Sequence, residues 1–328
     1  FKLKTKTFLN SKALFQNMKK INLLLATLLI LTFTLLISSC SIELNNDIDK
    51  EYYFLSKEDQ TDTSKPWFSQ VNIATSTDGI TFIEQGMLTK QAGVANLLKT
   101  KDNELIAIYQ YFDPFIKENF DQIAYQISTD NGQTWSERGF IQYEELPYKP
   151  KPGRPSPVDP DLVQLEDGSL RLYFTYPQPG YEYAFMAVST ADSITDNFVF
   201  KGPALSLDDT LLLDPAIVYF NDMWHHYTWT NEKNSEGVNI NVHSTSKDGL
   251  TFERQDDIYL PMNFLGQAIV IDEELYFYGS GMKGPVAKST NGFEWEISSE
   301  TNVLGADPGI TQLDDGSFVM IYTNMNFN

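Results

Sequence analysis

The stretch DPDLVQLEDGSLRLYFTY, Asp159 to Tyr176, decides the fold. An apolar run, Leu162-Val163-Gln164-Leu165, meets a turn at Asp167-Gly168. A second run, Leu170-Arg171-Leu172-Tyr173-Phe174, alternates and ends on aromatics. Two β-rich runs about a two-residue Asp-Gly turn specify a hairpin. The unit returns as LDPAIVYFNDMWHHYTWT (Leu213–Thr230) and ADPGITQLDDGSFVMIYT (Ala306–Thr323). Weaker copies are GVANLLKTKDNELIAIYQYF (Gly93–Phe112) and GQAIVIDEELYFYGSG (Gly266–Gly281). Three copies carry Asp-Pro just before the first strand, at Asp159, Asp214 and Asp307.

Working outward, a second strand pair follows each of the first four hairpins, in Asp121–Gly139, Tyr183–Gly202, Val238–Gln255 and Pro285–Ile297. No such pair follows the final hairpin within these 328 residues. Its missing pair lies at the other end, in QVNIATSTDGITFIEQG (Gln70–Gly86), whose Ser76–Phe82 turn matches Ser289–Trp295. Four complete four-strand units and one split unit predict an all-β, five-bladed β-propeller. The N-terminal strands should pair with the C-terminal hairpin to close the fifth blade and leave few free edges. An open β-sandwich would not need the two ends to complete each other's repeat.

The 328 residues, 42% hydrophobic and 13% aromatic, can bury a large core. The chain opens on Phe1 rather than Met, so it is expected to be a fragment or to run upstream of the true start. Met18-Lys19-Lys20 then begins a signal-peptide pattern, with the uncharged run Ile21–Ile37 followed by Ser38-Ser39-Cys40. This resembles a bacterial lipoprotein signal, which implies lipid on Cys40, export, and a membrane anchor on the periplasmic face or cell surface. A plain signal anchor or unlipidated signal peptide is the alternative. Cys40 is the only cysteine, so no internal disulfide or Cys-based zinc site is expected. The organisation expected is upstream residues and signal over 1–39, an acidic tether over 40–66, and the propeller over 67–328. The net charge is −20, and residues 1–39 hold six lysines and no acids, so the remainder carries about −26. Such a surface repels phosphate backbones and anionic lipid, which argues against nucleic-acid partners. Membrane attachment would be through Cys40 alone, and the chain is expected to act as a monomer.

In a propeller the first strand of each blade lines the central channel, and its start shares a face with the loops joining strands two and three. That face should carry Asp159, Asp161, Asp214 and Asp307, with Ala95 of unit one and Gln267 of unit four in corresponding places. The longest loop there is Tyr143–Val158, stiffened by prolines and holding Arg154. Tyr176, Tyr181 and Trp229 are among the aromatics at the rim. Aromatic faces suit the C–H faces of sugars, and aspartates accept hydrogen bonds from hydroxyls. A ring of carboxylates would equally suit Ca²⁺ with waters in the channel, although no cofactor is required by this reading. Asp-Pro before a strand is also ordinary turn chemistry. His225, His226 and His243 show no zinc spacing.

Ser128-Thr129-Asp130-Asn131-Gly132-Gln133-Thr134-Trp135 resembles the Asp-box turn of sialidases and other propellers, which implies a fold-stapling role. The five units with Asp-Pro at inner-strand starts resemble the propeller glycosidases of the arabinanase and xylosidase type, from about Trp67 to the end. That resemblance implies a general base Asp, a tuning Asp and a general acid Glu from different blades. Leu213-Asp214-Pro215 fits the tuning position, whereas the base and acid blades offer Ala95 and Gln267. Lys283-Gly284-Pro285 has Lys where the resemblance would place the acid. An active enzyme would then use Asp159 with Asp214 or Asp307, and a loop Glu such as Glu232 or Glu182. Sialidases hold a carboxylate with three arginines; of four here, only Arg154 is well placed.

The expectation is a carbohydrate-active propeller, a glycosidase by carboxylate acid/base chemistry. Catalysis falls to Asp159, Asp214, Asp307 and Glu232. Ligand contact falls to Asp161, Arg154, Tyr176, Tyr181, Trp229 and Gln267. A non-catalytic glycan-binding surface lipoprotein and a protein-interaction scaffold are the alternatives.

Overall fold

The computed structural model describes residues 55–147, 156–177, 184–208, 210–281 and 283–324. The chain enters its first sheet with β1 (Gln70–Ser76) and β2 (Ile83–Lys90). Blade one is β3 (Ala92–Lys99), β4 (Leu105–Phe112), β5 (Phe120–Ser128) and β6 (Gly139–Phe140). After β7 (Gln142–Glu144), blade two is β8 (Val158–Gln164), β9 (Leu170–Tyr176), β10 (Phe185–Ala191) and β11 (Asn197–Leu205). Blade three is β12 (Ala216–Phe220), β13 (Met223–Lys233), β14 (Asn239–Ser246), β15 (Glu253–Arg254) and β16 (Ile258–Leu260). Blade four is β17 (Gly266–Ile271), β18 (Glu274–Gly279), β19 (Pro285–Ser289) and β20 (Glu296–Glu300), and β21 (Ala306–Gln312) and β22 (Phe318–Asn324) complete the strands of the described residues.

The four main strands of each blade pair antiparallel, and the fifth blade has the order β21-β22-β1-β2. The closing pair β1–β22 runs from Gln70↔Asn324 to Ser76↔Phe318 without a register break. The split repeat is therefore one blade, and the five sheets make a five-bladed β-propeller. The sequence did not announce β7, which adds a parallel fifth strand to blade two by pairing Gln142–Glu144 with Asn197–Val199. The segment expected to be loop from Tyr143 thus begins as an edge-covering strand.

Strand alternation presents one apolar face of each blade to the next, so the core lies between blades. Ile106 and Ile108 of blade one meet Leu172 and Phe174 of blade two. Ala216 and Tyr227 of blade three meet Phe264 and Phe277 of blade four. Buried tyrosines tie each layer to the next: Tyr173 Oη donates to Gly249 O at 2.6 Å, and Tyr227 Oη to Gly292 O at 2.7 Å. Those glycines belong to the turns between third and fourth strands. Gly79, Gly132, Gly249 and Gly292 have φ of 72°, 84°, 68° and 80° there, a conformation glycine adopts without steric cost. In the blade-one turn Asp130 Oδ1 accepts from Thr134 N and Ser128 Oγ, both at 2.8 Å, and Trp135 Nε1 donates to Gly132 O at 3.1 Å. Asp78 Oδ1 accepts from Ile80 N and Thr81 N at 2.8 and 2.7 Å in the matching turn of blade five.

Candidate active site

Antiparallel pairing puts the starts of the inner strands and the second-to-third connections on one face, the mouth. The stapled turns fall on the other. Three layers of side chains build the mouth.

The deepest layer is axial. Asn96, Asp161, Ala216, Gln267 and Gly309 occupy one register, opposite Ile108, Tyr173, Tyr227, Tyr278 and Ile321 of the second strands. Three of them bridge blades. Asn96 Oδ1 accepts from Leu162 N at 3.3 Å, and its Nδ2 donates to Asp161 Oδ1 at 2.6 Å. Asp161 Oδ2 accepts from Ile217 N. Gln267 Oε1 accepts from Ile310 N at 2.7 Å and Leu97 N at 3.3 Å. Each side chain takes the N–H that follows the axial position of the next blade. Asp161 and Gln267 are 2% and 8% exposed. They were expected to contact ligand; the structure instead spends them as struts between inner strands.

Above the axis, Val94, Asp159, Asp214 and Asp307 have φ of 50°, 54°, 48° and 48°. In blades one, two and five a β-bulge separates this position from the axial residue. A left-handed backbone costs on the order of 1–3 kcal/mol for a residue other than glycine. Aspartate tolerates it best, and a β-branched residue such as Val94 worst. Bulges re-aim side chains beside functional sites. The blade-one occupant is thus Val94 rather than Ala95. In blade four Gln267 belongs to the axial layer, and Leu265-Gly266 precede it without an acid.

The third layer is a collar from the second strands: Gln110, Thr175, Trp229, Ser280 and Thr323, each two residues beyond the axial partner. Three of these hold the strained backbone of the next blade. Gln110 Oε1 accepts from Asp159 N at 3.4 Å, Ser280 Oγ from Asp307 N at 2.7 Å, and Thr323 Oγ1 from Val94 N at 3.1 Å. At blade two the pattern changes, and Asp159 Oδ2 itself accepts from Asp214 N at 3.5 Å. Thr323 Oγ1 also donates to Asp307 Oδ2 at 3.4 Å.

Asp159, Asp214 and Asp307 are half-buried. Burial, together with the Asp307 and Asp121 charges, pushes the Asp159 carboxyl up to about 7. Burial and the charges of Asp159 and Asp307 hold Asp214 well above the carboxylate range. Burial raises Asp307 to about 6. Confined like charges give up protons stepwise, as a set. No ion pair among the described residues involves these carboxyls. Sequence reasoning missed a fourth member, Asp121 at the start of β5. Burial raises its carboxyl to about 6, and Gln110 Nε2 and Ser156 Oγ donate to it. No sequence signal marks Asp121 among the many acids of the connections. The one clue is Gln110, where blades two, four and five have a hydroxyl.

Tyr176, expected on the rim, is 1% exposed. It packs within blade two against Phe174, Phe185 and Phe200 at ring distances of 5.8–5.9 Å, beyond reach of a sugar face. Trp229 is half-buried at the collar register, and Glu232 is exposed at the mouth-side end of β13. Cys40, Arg154, Tyr181 and Glu182 lie outside the described residues. The other arginines are engaged elsewhere: Arg138 with Thr89 Oγ1 at 2.6 Å and over the Tyr111 ring, Arg171 with Asp248 O, and Arg254 with Asp257. Among the described residues no three His, Cys, Asp or Glu side chains are grouped so as to hold a metal ion.

The histidines lie within blade three. His225 Nδ1 is 3.0 Å from His243 Nε2, and His226 Nδ1 is 2.8 Å from Ser244 Oγ. Burial lowers His225 to about 4 and His226 and His243 to about 3. Two opposed pH effects on stability follow. Asp121, Asp159, Asp161, Asp214 and Asp307 have raised folded values, Asp161 to about 7 by burial. Their contribution is full below the unfolded value of about 4 and is lost as pH rises through about 6 and 7. The histidines contribute fully above about 6.5 and lose that as pH falls toward 4 and 3. The carboxyls outnumber them, so the melting midpoint is expected to fall between pH 5.5 and 8. Thermal melts across that range check this; a midpoint that rises with pH would mean the carboxyls are ionised without penalty.

No protein-family model matches the chain, and no curated protein is similar to it. Solved structures do share its fold. A β-xylosidase is 13% identical, with 71% of this chain and 91% of the other covered at a TM-score of 0.54. A thermostable family-43 glycoside hydrolase is 15% identical, with 71% and 84% covered at a TM-score of 0.52.

Proposed function

We propose that the chain is a carbohydrate-active propeller that hydrolyses glycosidic bonds with the carboxyls of Asp159, Asp214 and Asp307. One observation carries the reading: three aspartates stand at the same left-handed register of the mouth, and burial raises all three carboxyls. Glycoside hydrolysis needs two carboxyl groups in opposite protonation states at one pH. Asp214, held well above the carboxylate range by burial and the charges of Asp159 and Asp307, is the acid of this reading and gives its proton to the glycosidic oxygen as the bond to the anomeric carbon breaks. Asp307 is its partner, which once ionised takes a proton from the attacking water or attacks the anomeric carbon itself. Asp159 orients Asp214 by accepting from its backbone N–H. A pair about 5 Å apart would make the enzyme retaining, and about 6.5–9.5 Å inverting.

Trp229 supplies a stacking face and Glu232 reaches the ligand from the end of β13, while Arg154 and Tyr181 are ligand contacts on the strength of the sequence alone. The chemistry asks for no cofactor. The stapled turns are read as Asp-boxes with a structural role only. The protein is read as an exported monomer tethered to a membrane by lipid on Cys40. The fold shared with glycoside hydrolases supports this reading, as do the acids at the mouth.

A non-catalytic glycan-binding protein is the second reading. It is favoured by Val94 in blade one and by Leu265 at the matching position of blade four, where the glycosidase resemblance expects a base and an acid. Incubation with a broad panel of oligosaccharides, scored for both reducing-end release and binding, separates the two. Release by the wild type, lost when Asp159, Asp214 and Asp307 are all Asn, is the expected result. Binding without release of any product would give the second reading the lead.

A further inference from the structure

We propose that Asp121 is a positioning residue for Asp159, acting through the Gln110 amide to hold the Asp159 backbone and through its charge to keep the Asp159 carboxyl protonated. The inference deepens the proposed function, since it concerns how one of those carboxyls is set.

The geometry is a two-step link. Gln110 Nε2 donates to Asp121 Oδ1, and Gln110 Oε1 accepts from Asp159 N at 3.4 Å. A carboxylate behind Gln110 dictates which way the amide faces. The NH₂ must point to Asp121, which leaves the carbonyl for Asp159 N–H. Asp121 is itself pinned: Ser156 Oγ donates to its backbone O at 2.6 Å and lies 3.4 Å from Oδ2, and φ is 62°. In blade four the Ser280 hydroxyl does the same work, and in blade five the Thr323 hydroxyl, which also donates to Asp307 Oδ2. The acid behind the blade-one collar differs in coming from β5 rather than from the start of an inner strand. That acid's charge reaches Asp159, and Asp159 also faces Asp307, Asp214 N–H and the Thr175 hydroxyl. Burial raises both carboxyls, Asp121 to about 6 and Asp159 to about 7, and the Asp121 charge adds to the rise at Asp159. A fixed negative charge placed there delays loss of the Asp159 proton.

The test needs no substrate, so it stands even if the chain cleaves nothing. The protein is labelled with ¹³C at aspartate Cγ, the four mouth signals are assigned with single Asn variants, and each is titrated by NMR. In Asp121→Asn the Asp159 midpoint is expected to fall by about one pH unit, while the Asp307 midpoint moves far less. An Asp159 midpoint unchanged to within about 0.2 units would overturn the charge coupling. Gln110→Met keeps the Asp121 charge and removes the link. There the Asp121 midpoint is expected to rise and the Asp159 amide proton to shift upfield. An unmoved Asp159 amide would overturn the positioning role, and this variant also serves if Asp121→Asn does not fold. If a cleavable glycoside is found, the limb of the pH–rate profile belonging to Asp159 should move to lower pH by the same amount.

Discussion

Asp214→Asn is expected to lower turnover by about three orders of magnitude on a glycoside that the wild type cleaves, with glycan affinity held within a few-fold. The change keeps the shape of the side chain and its place at φ 48°. On the proposed function it removes the carboxyl that supplies the proton, so the leaving oxygen departs without one. The same substitution is expected to stabilise the fold at high pH. A carboxyl whose folded value is raised is destabilising at any pH above its unfolded value, and Asn has no proton to lose. Its melting midpoint should therefore exceed that of the wild type at pH 8 and match it at pH 4. Loss of activity with gain of stability is the signature of a site that function holds away from its stability optimum. Full turnover in the Asp159, Asp214 and Asp307 single Asn variants would show the layer to be structural.

Gly309→Ala is expected to destabilise the protein by about 3 kcal/mol, the upper end for overpacking. A Cβ there would lie 2.7 Å from Leu97 N and 2.8 Å from the Cα and carbonyl carbon of Asn96. These are backbone atoms of β3, bound into blade one, so they cannot rotate aside. The melting midpoint should drop by roughly 6–12 °C for a domain of this size. The backbone at Gly309 is not left-handed, so alanine itself meets no conformational penalty, and the cost is contact alone. Ala216 at the same axial register of blade three carries a Cβ without difficulty. A Gly309→Ala protein as stable as the wild type would mean that β3 and β21 can move apart freely.

The fold was legible because the repeat is written in turn chemistry. Asp-Gly between two alternating runs, and the Ser-x-Asp-x-Gly turns, recur at fixed spacing, and the split copy forced the closure now seen between β1 and β22. The aspartate layer was legible for the same reason, since Asp-Pro marks the bulged start of an inner strand. What failed was one-residue register. Ala95 and Gln267 were placed in correspondence with Asp214. The position lies two residues before the axial one in every blade, so it falls to Val94 before Asn96, and Gln267 is itself axial. Tyr176 read as rim because strand ends usually are. It lies instead in the blade-two core among three phenylalanines. Asp161 looked like a second ligand for a sugar hydroxyl, and only the bond to Ile217 N in the next blade reveals it as a strut. Asp121 was invisible because its importance comes from Gln110 and Ser156, which are distant in sequence and meet only when the ring has formed.

The seam between β1 and β22 also orders events in time. Strands within a blade are neighbours in sequence and can pair early, whereas Gln70 and Asn324 must find each other across the whole ring. Until they do, β21 and β22 form a two-stranded ribbon, which is marginal in water. Asp307 and Thr323 both sit on that ribbon, so the mouth lacks one of its carboxyls until the seam closes. On refolding from denaturant, β-sheet signal should therefore recover first. Whatever the mouth does should return only in the last and slowest phase.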